Sequence, residues 1–241
     1  MRPFLLLATR PEDLAADDEY AAFLRYGGLH PDELVRVRLE RDPMPEIDLD
    51  DWSGIILGGG PFNNSDAVKS PVQQRVEREL SQLLDEVVAR DHPFLGACYG
   101  IGTLGTHQGG LVDRTYGETI AAVPVHLTDA GREDPIFGTL PDTFVAFAGH
   151  KEAITVLPPT ALTLATSAAC PVQAFRVGRN VYATQFHPEL DAVGLALRVD
   201  VYGGHGYFAP EDADAVKAMA FGAGVTEAER ICRAFVTTFA R

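Results

Sequence analysis

The chain has 241 residues, with 34 acidic side chains against 20 lysines and arginines, a formal net charge of −14, and 46% hydrophobic residues. That length supports one large α/β domain, or two small ones, without disulfide or metal staples, and the acidic balance argues against partners that present a phosphate backbone or an anionic membrane surface. Cys98, Cys170 and Cys232 are odd in number and lack paired spacing, which excludes a disulfide framework and a structural zinc site; the apolar run near the N-terminus is too short for a signal peptide and no later run reaches membrane-spanning length. A single domain over residues 1–241 in a reducing cytoplasm is expected.

Phe4 to Ala8 forms an unbroken apolar run that predicts a buried strand, and Glu12 to Tyr26 mixes Leu14, Ala15, Ala22 and Phe23 with charges in the manner of a helix. Leu34 to Leu39 alternates, and Gly54 to Leu57 is a second short apolar run that ends in Gly58-Gly59-Gly60. Both predict strands. Pro71 to Arg90 carries Val72, Val76, Leu80, Leu83, Leu84, Val87 and Val88 at helical spacing behind Ser70, a plausible cap before a proline at the first helical position. Strands separated by helices imply a parallel sheet covered on both faces, with its site at the carboxyl ends of the strands. From Glu118 to Glu189 the pattern changes to short extended runs, Ile120 to Leu127, Phe144 to Phe147, Leu162 to Thr166, Val172 to Val177 and Val181 to Phe186, which suggest an antiparallel extension. Thr226 to Phe239 returns to helical spacing.

Phe94 to Gly100 reads Phe-Leu-Gly-Ala-Cys-Tyr-Gly. An apolar strand that turns into a helix through Gly-x-Cys-x-Gly is a nucleophile elbow with sulfur in place of oxygen: the turn presents Cys98 outward, and Gly96 and Gly100 let strand and helix approach without a Cβ clash. A free thiol is only a few per cent ionised at neutral pH, so such a nucleophile needs a base. His187, at the end of the extended run from Val181, is the strongest of the seven histidines, and Glu189 lies two residues on, beyond Pro188, where it can orient the imidazole. Attack on an acyl carbon also needs oxyanion donors, which the bare backbone after the strand at Gly54 to Leu57 and the amide of Tyr99 can supply. No Gly-x-x-x-x-Gly-Lys-Ser/Thr motif is present, so triphosphate binding has no support.

Gly59-Gly60-Pro61, Gly96-Ala97-Cys98-Tyr99-Gly100 and His187-Pro188-Glu189, in this order and spacing, resemble the class I, or triad-type, glutamine amidotransferases, nearest to the glutaminase part of GMP synthases. The resemblance runs over about residues 4 to 190. It implies a three-layer, flavodoxin-like α/β/α sandwich around a mostly parallel sheet with a small antiparallel extension. It further implies that Cys98 attacks the glutamine side-chain amide, His187 moves protons, Glu189 orients His187, and the loop at Gly59 and Gly60 with the Tyr99 amide holds the oxyanion. Ammonia and glutamate are the implied products. Gly149-His150-Lys151-Glu152 resembles the family's Ser-His-Gly-Asp stretch, which makes His150 a candidate substrate contact and Lys151 a candidate partner for a substrate carboxylate.

One departure stands out. The family places a glutamine four residues after the nucleophile, and here that position is Gly102; Gln108 is one or two helical turns further on and no geometric substitute. The alternatives to free glutamine are therefore a γ-glutamyl conjugate cleaved by the same acyl-enzyme chemistry, or a regulatory binding protein that retains the fold. No synthetase motif is visible, so ammonia transfer would need a separate subunit. The histidines show no metal-ligand spacing, and neither metal nor cofactor is expected. Tyr202 to Phe208, rich in glycine and aromatics, reads as a turn between helices, with a lid or partner contact as the alternative, and carries no predicted catalytic role.

Overall fold

The computed structural model describes residues 1–241. Five parallel strands, β1 (Phe4–Ala8), β2 (Leu34–Arg38), β3 (Gly54–Leu57), β4 (Phe94–Ala97) and β11 (Val181–Thr184), lie in the order β2-β1-β3-β4-β11. β1, β3, β4 and β11 are buried at every position, which explains the unbroken apolar sequences of the first three: a strand with helices on both faces has no solvent side to mark with polar residues. The two-residue period still sorts the side chains. Phe4 and Leu6 enter one core with Phe23 of α1 (Asp13–Gly27) and Phe235 of α7 (Arg230–Phe239), whereas Leu5 and Leu7 enter the opposite core with Val76, Leu80 and Leu84 of α2 (Pro71–Ala89) and Leu104 of α3 (Tyr99–His107). The expected cap is present, since the Ser70 hydroxyl accepts a hydrogen bond from the Gln73 amide at 3.1 Å.

The antiparallel extension continues the same sheet through β10 (Ala174–Val177), β9 (Ala161–Thr166), β6 (Glu118–Leu127) and β7 (Thr143–His150), giving nine strands, with the short α4 (Asp129–Glu133) following β6. β10 begins two residues later than the sequence predicts, and a register shift between Ala174 and Phe175 interrupts its pairing with β9. β5 (Leu111–Asp113) and β8 (Ala153–Val156) form a separate two-stranded sheet that the sequence reading did not anticipate. α5 (Ala192–Tyr202) and α6 (Ala213–Gly222) pack against each other beside β6 and β7, with Phe147, Leu190, Leu195 and Ala220 forming a third small core. The segments after β1, β3, β4 and β11 all emerge at the carboxyl edge of the parallel strands, where an open α/β sheet leaves room for a ligand.

Candidate active site

Cys98 stands between β4 and α3 with φ of 52° and ψ of −91°, one of two non-glycine residues with positive φ. Such a backbone costs about 1–3 kcal/mol, and the surroundings hold it: the Cys98 amide donates to Thr184 O at 2.8 Å, and a Cβ on Gly96 would lie 2.9 Å from the Gly100 backbone. The sharp turn thus requires glycine at position 96, whereas a Cβ on Gly100 would meet Leu57 O at 3.4 Å, an ordinary contact, so the expected steric need for Gly100 is not found. Burial pushes the Cys98 thiol up to about 12, with Arg10 opposing the shift, so the resting sulfur carries its proton.

His187 follows β11, and its amide is pinned to Phe147 O at 3.1 Å. Its Nδ1 lies 2.9 Å from Glu189 Oε1, while Nε2 makes no hydrogen bond within the protein. Arg198, from α5, donates to Glu189 Oε1 through Nη2 at 2.8 Å and brings Nη1 to 3.1 Å from His187 Nδ1. Nδ1 cannot donate to the carboxylate and accept from the guanidinium at once. The Glu189 bond leaves Nε2 as a proton acceptor; the Arg198 bond places the proton on Nε2 and removes the base. Burial lowers His187 to about 4, with Glu189 opposing that shift and Arg198 adding to it. Glu189 is itself held below the usual carboxylate range: His187 and Arg198 together outweigh its burial.

A second ion pair lies behind the first. Arg10, just beyond β1, donates through Nε to Glu19 Oε1 at 2.9 Å and through Nη1 to the Tyr202 hydroxyl at 3.2 Å. Arg198 Nη2 is 3.9 Å from Glu19. Two arginines and two glutamates are therefore packed together with no side chain more than 5% exposed; burial pushes the Glu19 carboxyl up, against the pull of Arg10. The sequence reading missed Arg10, Glu19 and Arg198. Only Arg10 left a trace, in that it follows a buried strand by two residues, at the same sheet edge as Cys98.

The two glycines of the loop after β3 have different surroundings. The Gly59 amide donates to Glu19 Oε1 at 3.1 Å and is occupied, whereas the Gly60 amide makes no hydrogen bond within the protein. Tyr99, as the first residue of α3, has an amide with no acceptor in its own helix. Gly60 and Tyr99 are thus the open donors beside the thiol, while the role left to Gly59 is steric: a Cβ there would lie 2.6 Å from both His187 Cε1 and Arg10 Nη2.

A family model, glutamine amidotransferase class-I, matches residues 29–193. The chain belongs to the class-I glutamine amidotransferases. It is 32% identical over 161 residues to the glutamine-hydrolyzing GMP synthase subunit of Methanothermobacter thermautotrophicus, a match covering 66% of this chain and 76% of that one. It is 30% identical to the subunit of the same description from Thermococcus kodakarensis, over 69% of this chain and 80% of that one. In fold it is similar to a glutamine amidotransferase from Thermotoga maritima, with a TM-score of 0.78, 20% identity and coverage of 99% and 98% of the two chains. A glutamine amido transferase from Methylobacillus flagellatus superposes with a TM-score of 0.73 at 19% identity, over 100% of this chain and 96% of that one.

Two clefts meet at Cys98 in this amidotransferase. One includes His187, Arg10, Arg198 and an apolar wall; the other includes Tyr99, Asn63, Lys151, Glu152 and Gln185. Gly60, Gly149 and Tyr207 border both. The glycine-rich turn after α5 therefore reaches the site: Lys151 donates to His205 O at 2.7 Å and lies 4.7 Å from the centre of the Tyr207 ring.

The space beside Gly102 is filled from elsewhere. A Cβ there would lie 2.5 Å from Asn64 Nδ2, and Asn64 is fixed because Glu152 accepts hydrogen bonds from the Asn64 amide at 2.6 Å and the Ser65 amide at 2.8 Å. His150 borders the second cleft, but Nδ1 is 2.9 Å from Glu152 O and Nε2 is 3.0 Å from Glu118 Oε2, so both ring nitrogens are engaged within the protein. Its contribution to the cleft is that of a wall. Glu118, His150 and Cys170 bring ligand atoms within 4.8 Å of one another, a grouping with metal-ligand chemistry that the spacing in sequence did not reveal. Within the grouping, His150 Nε2 faces Glu118 and Nδ1 faces Glu152 O, and burial pushes the Cys170 thiol up to about 11.

Proposed function

We propose that this chain hydrolyses the side-chain amide of glutamine, or of a γ-glutamyl compound, through a thioester on Cys98, with His187 as the proton carrier and Glu189 as its orienting partner. The observation that carries the reading is the strained outward turn at Cys98 at the end of one parallel strand, beside a buried His187–Glu189 pair at the end of the next. Residues 1–241 are taken as one domain, in keeping with the single nine-stranded sheet that links their two halves.

The mechanism follows from the proton positions. In the resting site the thiol and imidazole are both neutral, because burial disfavours the ion pair. As the substrate carbonyl arrives, His187 Nε2 takes the thiol proton while sulfur attacks the carbonyl carbon. The imidazolium is stabilised by Glu189, and the oxyanion by the amides of Gly60 and Tyr99, which are fixed before reaction. His187 then gives its proton to the leaving nitrogen as the C–N bond breaks. Water, deprotonated by His187, attacks the thioester, and glutamate leaves. Lys151, which has no carboxylate partner, supplies a positive charge for the substrate α-carboxylate in the second cleft.

The relatives are glutamine-hydrolyzing components of a GMP synthase, which suggests that a separate synthetase chain receives the ammonia, and three free cysteines favour a reducing cytoplasm. The direct test is release of ammonia and glutamate from glutamine and from γ-glutamyl amides by wild type and Cys98→Ser. Turnover that disappears in the folded variant is expected; turnover that survives, or wild type inert toward every substrate, would overturn the reading.

A further inference from the structure

We propose that the cleft on the His187 side of Cys98 seats the amine half of the substrate, and that the preferred substrates are γ-glutamyl amides of apolar or aromatic primary amines. This rests on the hydrolase reading above and deepens it. The direction follows from the chemistry. His187 delivers the proton to the leaving nitrogen, so the leaving group lies on its side of the sulfur. His187 borders this cleft and not the other one, which holds Lys151 and the Tyr99 end of the oxyanion site and so fits the charged glutamyl half.

The wall of the amine-side cleft is the second observation. Ile120, Phe147, Leu190, Leu195, Tyr202 and Tyr207 border it, and the charges at its base are engaged, Arg10 with Glu19 and Arg198 with Glu189. Ammonia is small and polar and gains nothing from such a wall; an alkyl or aryl group loses its hydration there. The third observation is where the wall comes from. The family match ends at residue 193, and Leu195, Tyr202 and Tyr207 lie beyond it, on α5 and the turn that follows. The thioester chemistry thus sits in the shared stretch, while half of the apolar wall on the amine side is built from outside it. The reaction balances as γ-glutamyl-NHR plus water giving glutamate and RNH2: the C–N bond is replaced by a C–S bond, the amine leaves with the proton from His187, and water restores the thiol.

The experiment measures kcat/KM for glutamine, γ-glutamyl ethylamide, γ-glutamyl benzylamide and γ-glutamylglycine, following glutamate release, with wild type and Ile120→Asn. Each methylene group buried in an apolar pocket discriminates by about 10-fold or more, so benzylamide is expected to exceed glutamine by about 100-fold, with the ethylamide between them and the anionic glycine conjugate poor. Ile120 is only partly buried, and Ile120→Asn is expected to lower the benzylamide-to-glutamine ratio by about 10-fold. Glutamine equal to or better than benzylamide would overturn this proposal and leave the hydrolase reading standing. Inertness toward all four substrates would instead overturn the hydrolase reading. If Ile120→Asn fails to fold, as judged by circular dichroism, the wild-type order of substrates decides alone.

Discussion

Replacing Glu189 with glutamine tests the competition for His187 Nδ1. In the wild type, Glu189 Oε1 at 2.9 Å and Arg198 Nη1 at 3.1 Å both face that nitrogen, and the carboxylate holds the proton on Nδ1. Without its charge, Arg198 becomes the stronger partner, Nδ1 turns acceptor, and the proton moves to Nε2. Loss of the orienting carboxylate in a triad costs about 10⁴-fold in kcat, or about 5 kcal/mol, and that loss is expected for Glu189→Gln. The same change leaves Arg10 and Arg198 facing Glu19 alone, an uncompensated buried charge expected to cost about 3–5 kcal/mol in urea unfolding. Adding Arg198→Met removes both faults. The competing donor is gone, and the Arg10–Glu19 pair is balanced again. A hydrogen bond from a charged donor contributes about 1.5–3 kcal/mol, so the double variant is expected to regain about 10- to 100-fold in kcat and part of the lost stability. Steady-state hydrolysis and urea melts on wild type, both single variants and the double variant form one cycle. If the double variant loses as much as the two single variants together, on either readout, the competition argument is wrong.

Three further outcomes are expected. His187 is lowered to about 4 in the folded protein against about 6.5 unfolded, so the unfolded chain binds the extra proton first: stability is intact above pH 6.5 and falls as pH drops toward 4, by about 3 kcal/mol from this residue, with His92 acting in the same direction, and His187→Gln should flatten the slope of urea-derived stability in that window. Gly102→Gln, although it restores the family residue, should destabilise by about 1–3 kcal/mol and lower kcat/KM for glutamine, because its Cβ displaces Asn64 from the position fixed by Glu152; increased glutamine turnover would contradict this. Lys151→Met should raise KM for glutamine by about 10-fold with little change in kcat, as removal of an interaction shared by ground and transition states does, and a fall in kcat alone would show that Lys151 is not a carboxylate anchor.

The parts of this molecule that were legible in the sequence are those whose signal is local. Unbroken apolar runs marked β1, β3 and β4 because burial on both faces leaves no polar alternation, while the edge strand β2 alternates, and Gly96 two residues before Cys98 announced a sharp turn. His187 and Glu189 were legible for the same reason. What was hidden depends on pairing across long separations. β5 and β8 are each too short to read alone and exist through their mutual pairing. Gly59 and Gly60 look equivalent in sequence, yet Glu19, 40 residues away from Gly59, occupies one amide and leaves the other open. The turn from Tyr202 to Phe208 reads as a helix connection, which it is, but its place over the thiol follows from how α5 packs on β7.

The same distinction separates what this chain shares with its relatives from what lies around it. The family match covers residues 29–193 and so contains Cys98, His187 and Glu189, but Arg10 and Glu19 precede it and Arg198 follows it. The residues that set the protonation of the triad thus lie outside the stretch that identifies it. A buried His–Glu pair alone would carry one negative charge in a site where a thiol must ionise, and each additional carboxylate raises the cost of forming the thiolate. Arg198 removes that charge at Glu189, but its Nη1 then competes for the nitrogen that Glu189 must hold. Glu19, 3.9 Å from Arg198, draws the guanidinium the other way, and Arg10 in turn balances Glu19. Each added charge thus corrects the side effect of the one before, and the group closes only when two arginines face two glutamates. Such a group is expected to change as a unit, so that the triad's proton inventory is coupled to α1 and α5 and not to the Cys98 turn alone.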